Sequence, residues 1–313
     1  MNYMFSVIFP GQGSQIVGMG KDLYSKYDII KKLFKEADEI LGFSISNIIL
    51  EGPKEKLDLT ENTQPAIFLV GYSIFNLLKN EKLIDLNKAK FFAGHSLGEY
   101  TALASAEGLS FSETLKILKI RGNAMQNAVP KGEGGMVAVL GSEIKKIEDI
   151  INNNSKFYEC FIANDNSDGQ IVVSGKMDNL DKFILDLKKN SIKNIKLPVS
   201  APFHCKLMQK ATEIMKIEIE KLDIKDPKNI LISNVTGKEI ENSLQIKDLL
   251  IKQIESRVRW RETVKYMIDN GVNSFIEIGP GKVLSGLIKR IDRNVKVSAI
   301  NNEEDISLIK IND

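Results

Sequence analysis

Short runs of β-branched and aromatic residues alternate with longer amphipathic stretches along nearly the whole chain, and this alternation constrains the fold more than any other feature. Strands are predicted at 4–9, 90–94, 136–140, 170–174, 195–199, 229–233, 274–278 and 295–299. Helices are predicted near 19–41, 65–79, 98–106, 112–127, 143–152, 178–190, 206–222, 246–270 and 282–290. Strands that alternate with helices of this length build βαβ units and a mainly parallel sheet, so the fold class is α/β. At 313 residues there is room for two domains, or for one large domain carrying an insertion. The breaker cluster Val129-Pro130-Lys131-Gly132-Glu133-Gly134-Gly135 marks a boundary, and Pro198 and Pro202 mark a return. The five predicted elements between them suffice for a small inserted subdomain. The alternative is one continuous sheet with a long loop.

Composition removes several function classes. Lys+Arg 43 against Asp+Glu 41 gives a net charge of +2, too balanced for a dedicated nucleic-acid binder. Two cysteines, Cys160 and Cys205, cannot form a disulfide framework or a multi-cysteine metal site, which points to a reducing compartment. The apolar run 4–9 lacks a basic leader and stops at Pro10-Gly11, too short for a signal sequence. No stretch reaches the roughly 18 apolar residues of a membrane helix. A cytoplasmic protein with no membrane contact is expected.

The sharpest local motif is Gly94-His95-Ser96-Leu97-Gly98, placed between a predicted strand and an Ala-rich helix. That context forms a nucleophile elbow, in which a serine occupies a strained strand-to-helix turn where side chains two residues to either side would collide. The helix start aims unsatisfied N–H groups and a positive dipole end at the serine. A chance turn is the competing reading of the five residues alone. A nucleophilic serine needs a base, because its hydroxyl is neutral at pH 7. Two histidines are available. His95 adjoins Ser96, and adjacent side chains on a tight turn diverge. His204, in Pro202-Phe203-His204-Cys205 after a strand, is the favoured base. Nothing in the composition singles out a third, orienting carboxylate. Cys205 reads as a buried structural residue rather than half of a Cys–His pair.

Two further glycine-rich turns compete for attention. Gly11-Gln12-Gly13-Ser14-Gln15 follows the first strand but lacks the spacing of a dinucleotide fingerprint. Its N–H groups could supply half of an oxyanion hole, or it is a plain strand–helix turn. Gly279-Pro280-Gly281-Lys282 fails as a phosphate loop, because Val283 stands where Ser or Thr must hold magnesium. Arg121 lies within a helical pattern. It has the planar fork that suits a carboxylate, although a helix arginine is ordinarily solvated.

Taken in order, Gly11-Gln12-Gly13-Ser14-Gln15, Gln64-Pro65-Ala66, Gly94-His95-Ser96-Leu97-Gly98-Glu99, Arg121-Gly122, Asn164-x-Asn166-Ser167-x-Gly169-Gln170, Pro202-Phe203-His204, Val258-Arg259-Trp260 and Glu277-Ile278-Gly279-Pro280-Gly281 resemble the malonyl-CoA:acyl-carrier-protein transacylases. The resemblance runs from about residue 6 to about residue 300. It implies an α/β-hydrolase-like large subdomain (1–128 and 199–313) with a parallel sheet, interrupted by a small ferredoxin-like α+β subdomain (129–198).

It further implies that Ser96 is the nucleophile, His204 the base, and Arg121 the clamp for the malonyl carboxylate. The backbone N–H groups of Gln12 and Leu97 would form the oxyanion hole, and the Gln253 backbone carbonyl would orient His204. The implied substrate is malonyl-CoA, with no bound cofactor and no metal. The implied partner is an acidic acyl carrier protein, met by basic residues such as Lys206, Lys289 or Arg290, and a monomer is the default. The alternatives are a discrete acyltransferase for a polyketide pathway and a serine thioesterase or esterase.

Three positions depart from the family pattern. Arg257 replaces a usual Pro, which should leave the loop after Gln253 less fixed. Asp165 and Asp168 stand where Tyr and Pro are common and are expected on a variable rim.

Overall fold

The computed structural model describes residues 4–199 and 201–311, and its strands sort into two sheets by their position in the chain. The expected subdomain limits at 1 and 313 lie outside the described residues. β1 (Phe5–Phe9), β2 (Phe91–Gly94), β7 (Ile230–Leu231), β8 (Ser274–Ile278) and β9 (Lys296–Ile300) form a parallel sheet in the order β7-β2-β1-β8-β9. β1 is buried along its whole length. Its side chains alternate between two cores, Val7 and Phe9 packing with Phe92 and Ile278, Ile8 with Phe91, Ala93 and Phe275. A strand buried on both faces needs few polar positions, and β1 carries one, Ser6, among four apolar residues.

The second sheet lies wholly within Gly134–Lys196. β3 (Gly134–Leu140), β4 (Cys160–Ser167), β5 (Gln170–Lys176) and β6 (Lys193–Lys196) pair antiparallel in the order β4-β5-β3-β6. Val137, Val139, Ile171 and Val173 face the helices Ile144–Asn153 and Met177–Lys189, burying Ile147, Phe183 and Leu187. Met136 and Val172, on the opposite face, join the core of the parallel sheet. The two sheets thus share one apolar interior.

Several boundaries differ from the sequence expectation. The insert holds six elements rather than five, strand-helix-strand-strand-helix-strand, the additional one being β4. Its Asn164-Asp165-Asn166-Ser167 end uses residues that are depleted in strands. The stretch 19–41 is two helices, Lys21–Lys26 and Asp28–Leu41, broken at the extended Tyr27. The stretch 246–270 is also two, Ser243–Gln253 and Trp260–Asp269, because Val258 between them pairs with Asn164 at the edge of β4. A 3-10 turn, Lys206–Met208, precedes the helix Gln209–Glu220. The last strand of the insert is Lys193–Lys196, not 195–199. Ile45–Glu51, Lys54–Leu57 and Glu303–Ile311 are helices that the pattern did not announce. Among the described residues no helix is long and apolar enough to cross a membrane.

The helix expected at 65–79 begins at Thr60 and runs to Asn80. Helix Phe111–Asn127 crosses its first turn at Gly122, where an added Cβ would stand 2.5 Å from the Thr60 carbonyl oxygen. This close approach buries the neighbouring Arg121 completely and sets it beside Gln64.

Candidate active site

β2 ends at Gly94, helix Gly98–Ser105 begins four residues later, and Ser96 between them has φ 54°. That left-handed conformation is uncommon for a residue with a side chain and costs on the order of 1 kcal/mol. The surroundings enforce it. A Cβ on Gly94 would lie 1.9 Å from the Gly98 carbonyl, and one on Gly98 would lie 2.3 Å from the Phe9 carbonyl. Asn234, just beyond β7, staples the turn: its Oδ1 accepts from the Ser96 N–H at 2.7 Å and its Nδ2 donates to the Gly94 carbonyl at 2.7 Å.

His204 comes from a different region and is also left-handed, with φ 58°. Ser174 of β5 donates its hydroxyl to the adjacent Phe203 carbonyl at 2.6 Å. The imidazole Nε2 is 2.8 Å from Ser96 Oγ, and Nδ1 is 2.9 Å from the Gln253 carbonyl oxygen. A carbonyl can only accept, so Nδ1 carries the proton and Nε2 is left to accept from the serine hydroxyl. Burial pushes the histidine pKa down to about 3, and the charge of Arg121 pushes in the same direction. At neutral pH the ring is uncharged and able to take a proton.

Arg121 reaches the same serine from the third side. Nη2 donates to Ser96 Oγ at 3.2 Å and to Gln253 Oε1 at 2.7 Å, and Nη1 donates to Gln64 Oε1 at 2.8 Å. Its guanidinium carbon is 5.5 Å from the centroid of the Tyr100 ring. Three of its five N–H donors are thereby used, and Nε is buried with no acceptor among the described residues. No carboxylate among the described residues lies within ion-pair distance. Desolvation lowers the guanidinium pKa. The residue-level reading of a solvated helix arginine is therefore wrong: this is a buried fork with free donors.

Gln253, at the C-terminus of helix Ser243–Gln253, does more than the expected backbone contact. Besides accepting from Arg121, its side-chain amide donates to the Ser96 carbonyl at 3.0 Å and to Glu99 Oε2 at 2.6 Å. The N–H groups of Gln12 and Leu97 have no acceptor among the described residues, and both residues line the cavity with Ser96. His95 turns away from Ser96, its Nε2 lying 2.9 Å from Asn166 Oδ1 at the end of β4. Cys205 is buried and donates to the Pro202 carbonyl at 3.1 Å. Burial pushes its thiol up to about 12.

The serine, histidine and arginine sit in a cavity of about 490 Å³. Its apolar walls are Met136 and Val172 of the antiparallel sheet and Leu284 and Leu287 of helix Val283–Ile291. The N-terminus of that helix is already capped by the Glu277 carboxylate, which accepts from Leu284 N–H at 3.0 Å and Ser285 N–H at 2.7 Å. Two of the N–H groups at the start of that helix are therefore already taken. Among the described residues no group of three or more His, Cys, Asp or Glu could hold a metal ion.

The three departures are structural. Asp165 is buried, not on a rim. Its carboxylate accepts from Arg261 Nε at 3.0 and 3.1 Å and from Nη2 at 2.9 Å, while Asp168 accepts from Nη1 at 3.0 Å. Arg257 donates to Glu148 at 2.9 Å, and the Val258 N–H donates to Ala163 at 2.8 Å, so the segment after Gln253 is tied to β4. Of the basic residues expected to meet a partner, Lys206 pairs with Glu159, Lys289 donates to the Val295 carbonyl, and Arg290 donates to Gln170, which lines the cavity. Gln64, Glu99 and Asn234 had no assigned role in the sequence. Gln64 opens the Gln64-Pro65-Ala66 motif, Glu99 closes the motif around Ser96, and Asn234 follows a predicted strand.

The family model described as acyl transferase domain matches residues 6–306. The chain is 42% identical to the malonyl CoA-acyl carrier protein transacylase of Bacillus subtilis (strain 168), over 96% of this chain and 94% of that one. It superposes on the crystal structure of acyl-carrier-protein-S-malonyltransferase from Bartonella henselae with a TM-score of 0.95 at 40% identity, covering 98% of this chain and 99% of that one. A malonyl-transacylase solved in complex with its type II PKS acyl-carrier protein matches with a TM-score of 0.95 at 32% identity, covering 99% and 100%.

Proposed function

The chain belongs to the acyl transferase domain family, and from that premise we propose that it moves a malonyl group from malonyl-CoA to the phosphopantetheine thiol of an acyl carrier protein through an ester on Ser96. The observation that carries the reading is the hydrogen-bonded chain from Ser96 Oγ through His204 to the Gln253 carbonyl, at 2.8 and 2.9 Å, beside a buried arginine with donors to spare.

His204 takes the Ser96 proton as the oxygen attacks the thioester carbonyl. The N–H groups of Gln12 and Leu97 receive the oxyanion, worth roughly 3 kcal/mol per donor in comparable sites. His204 then protonates the departing CoA thiolate. The carrier thiol reverses these steps: His204 deprotonates it, it attacks the ester, and Ser96 regains its proton. Arg121 holds the free malonyl carboxylate. An acetyl group would leave that fork unpaired in a dry site, which is where selectivity arises. A general thioesterase has no use for such a fork.

Malonyl-CoA and the carrier protein are the partners, and the chemistry needs no bound cofactor. A site complete within one chain suits a monomer, and two buried free thiols suit the cytoplasm. Residues 129–198 form the small ferredoxin-like subdomain, and 1–128 with 199–313 the catalytic one. This division is supported by the second sheet falling within Gly134–Lys196. The product feeds fatty-acid synthesis. The PKS carrier bound to the related transacylase makes polyketide supply the second reading.

The test is malonylation of phosphopantetheinylated carrier proteins of both kinds, with malonyl-CoA and acetyl-CoA as donors. Transfer of malonyl, not acetyl, to the fatty-acid carrier is expected, and release of free malonate without a carrier would contradict it. Because His204 stays neutral down to about pH 3 instead of charging near 6.5, the malonylation rate should hold level from about pH 7 to about pH 5.

A further inference from the structure

Glu99 follows the second glycine of the serine turn and is buried, at 1% exposure. The mechanism above gives it no part. Its Oε2 accepts from the Gln253 side chain at 2.6 Å and from the Asn234 N–H at 3.1 Å. Its Oε1 is buried without a hydrogen-bond partner among the described residues. A carboxylate oxygen left bare in a dry interior is poorly stabilised as an anion and is the natural place for a proton.

One amide separates this carboxyl group from the arginine: Gln253 accepts from Arg121 Nη2 and donates to Glu99. The charged or titratable groups that face it are the Arg121 guanidinium and the phenol of Tyr100, held up at about 12 and so uncharged. Gln253 and Asn234, which also touch it, do not titrate. With no substrate, an ionised Glu99 balances Arg121. A malonyl carboxylate docked on Arg121 brings a second negative charge against a single buried cation. An uncompensated buried charge neutralises where it can, and the group placed to do so is Glu99.

We propose that Glu99 takes one proton from solvent onto Oε1 when the malonyl carboxylate docks on Arg121, and returns it when malonyl leaves. This inference rests on Arg121 being the carboxylate clamp. No other bond forms or breaks, and the proton comes from bulk water.

Burial already raises the Glu99 carboxyl to about 7, so above neutral pH it is mostly ionised in the free protein. Substrate raises it further. Malonyl-CoA affinity should therefore be level below about pH 7 and weaken above it by up to about tenfold per pH unit. Acetyl-CoA, with no carboxylate, should show no such trend, and comparing the two cancels titration of the shared CoA moiety.

The test uses the Ser96→Ala protein, which binds without being acylated, and titrates it with each thioester from pH 6.5 to 9 by calorimetry in two buffers of different ionisation enthalpy. Near pH 8 malonyl-CoA should take up most of one proton per site and acetyl-CoA none. The malonyl preference should fall several-fold between pH 7.5 and 8.5. Adding Glu99→Gln, which mimics the neutral acid, should abolish the uptake and flatten the preference. A level preference in the Ser96→Ala protein, or uptake that survives Glu99→Gln, overturns the inference. The Ser96→Ala series alone decides if the double variant does not fold. Arg121→Met in the same background tests the premise separately: malonyl preference undiminished there would remove the clamp itself, whereas its collapse beside a level pH series would remove the role of Glu99 alone.

Discussion

At the tip of β2 Ser96, the proposed nucleophile, is fixed through its main chain, while at the edge of β4 the same cavity is bounded by side chains that pair with one another. In the first region two glycines leave no room for a methyl group, and Asn234 ties the strained turn to the sheet by hydrogen bonds to its main chain. In the second, an extended strand with a polar end is anchored by the Arg261 fork on Asp165 and Asp168, and it presents Asn166 to His95. The difference separates two tasks. A nucleophile must be placed to within a fraction of an ångström, which backbone sterics do well. A wall needs only to stay closed, which a replaceable ion pair can achieve.

Substitutions that exploit this contrast should differ in size and in kind. The largest effect is expected from Gly98→Ala, whose methyl would collide with the Phe9 carbonyl at 2.3 Å. A loss of about 3 kcal/mol or more, read by urea unfolding, should accompany loss of acylation. Near wild-type stability would show that the turn has slack that the geometry denies. Asn234→Ala should come next, costing about 1–3 kcal/mol by orphaning the Ser96 N–H and the Gly94 carbonyl. Its kcat should fall about 100-fold with little change in KM, because the serine and not the acyl pocket is displaced. A rise in KM at unchanged kcat would assign Asn234 to substrate binding instead.

Arg261→Met should be mildest in activity. It leaves the Asp165 carboxylate buried without its cation and should cost about 2 kcal/mol, part of the usual penalty for breaking a buried pair because Arg261 keeps one-fifth of its side chain exposed. Its kcat should stay within about threefold of wild type while KM for malonyl-CoA rises. A collapse of kcat would mean that the wall also positions the nucleophile, and the contrast between the two regions would be lost.

The same contrast explains what could be read from the sequence. Ser96 was legible because an elbow demands glycines two residues to either side, a local rule. His204 was legible by elimination, there being two histidines and one adjacent to the serine. Both sheets were legible in outline from apolar alternation, yet β4 was not, since Asn164, Asp165 and Asn166 carry turn chemistry, and their burial rests on the distant Val258, Arg261 and His95 respectively. The burial of Arg121 was hidden for a similar reason. Helical spacing cannot say that Gly122 lets a second helix close over it, and its partners Gln64 and Gln253 lie 57 and 132 residues away. Long-range polar contacts of this kind leave no period in the chain. The resemblance to a family implies a carboxylate clamp at Arg121 and a Gln253 carbonyl toward His204, but neither of these two contacts.

The most direct measurement is an intact-mass time course with malonyl-CoA for the wild-type protein and Ser96→Ala, before and after addition of phosphopantetheinylated acyl carrier protein. The account predicts one malonyl group on the wild type, none on Ser96→Ala, and movement of that group to the carrier. An adduct that persists in Ser96→Ala, or malonate released without any carrier adduct, would contradict it.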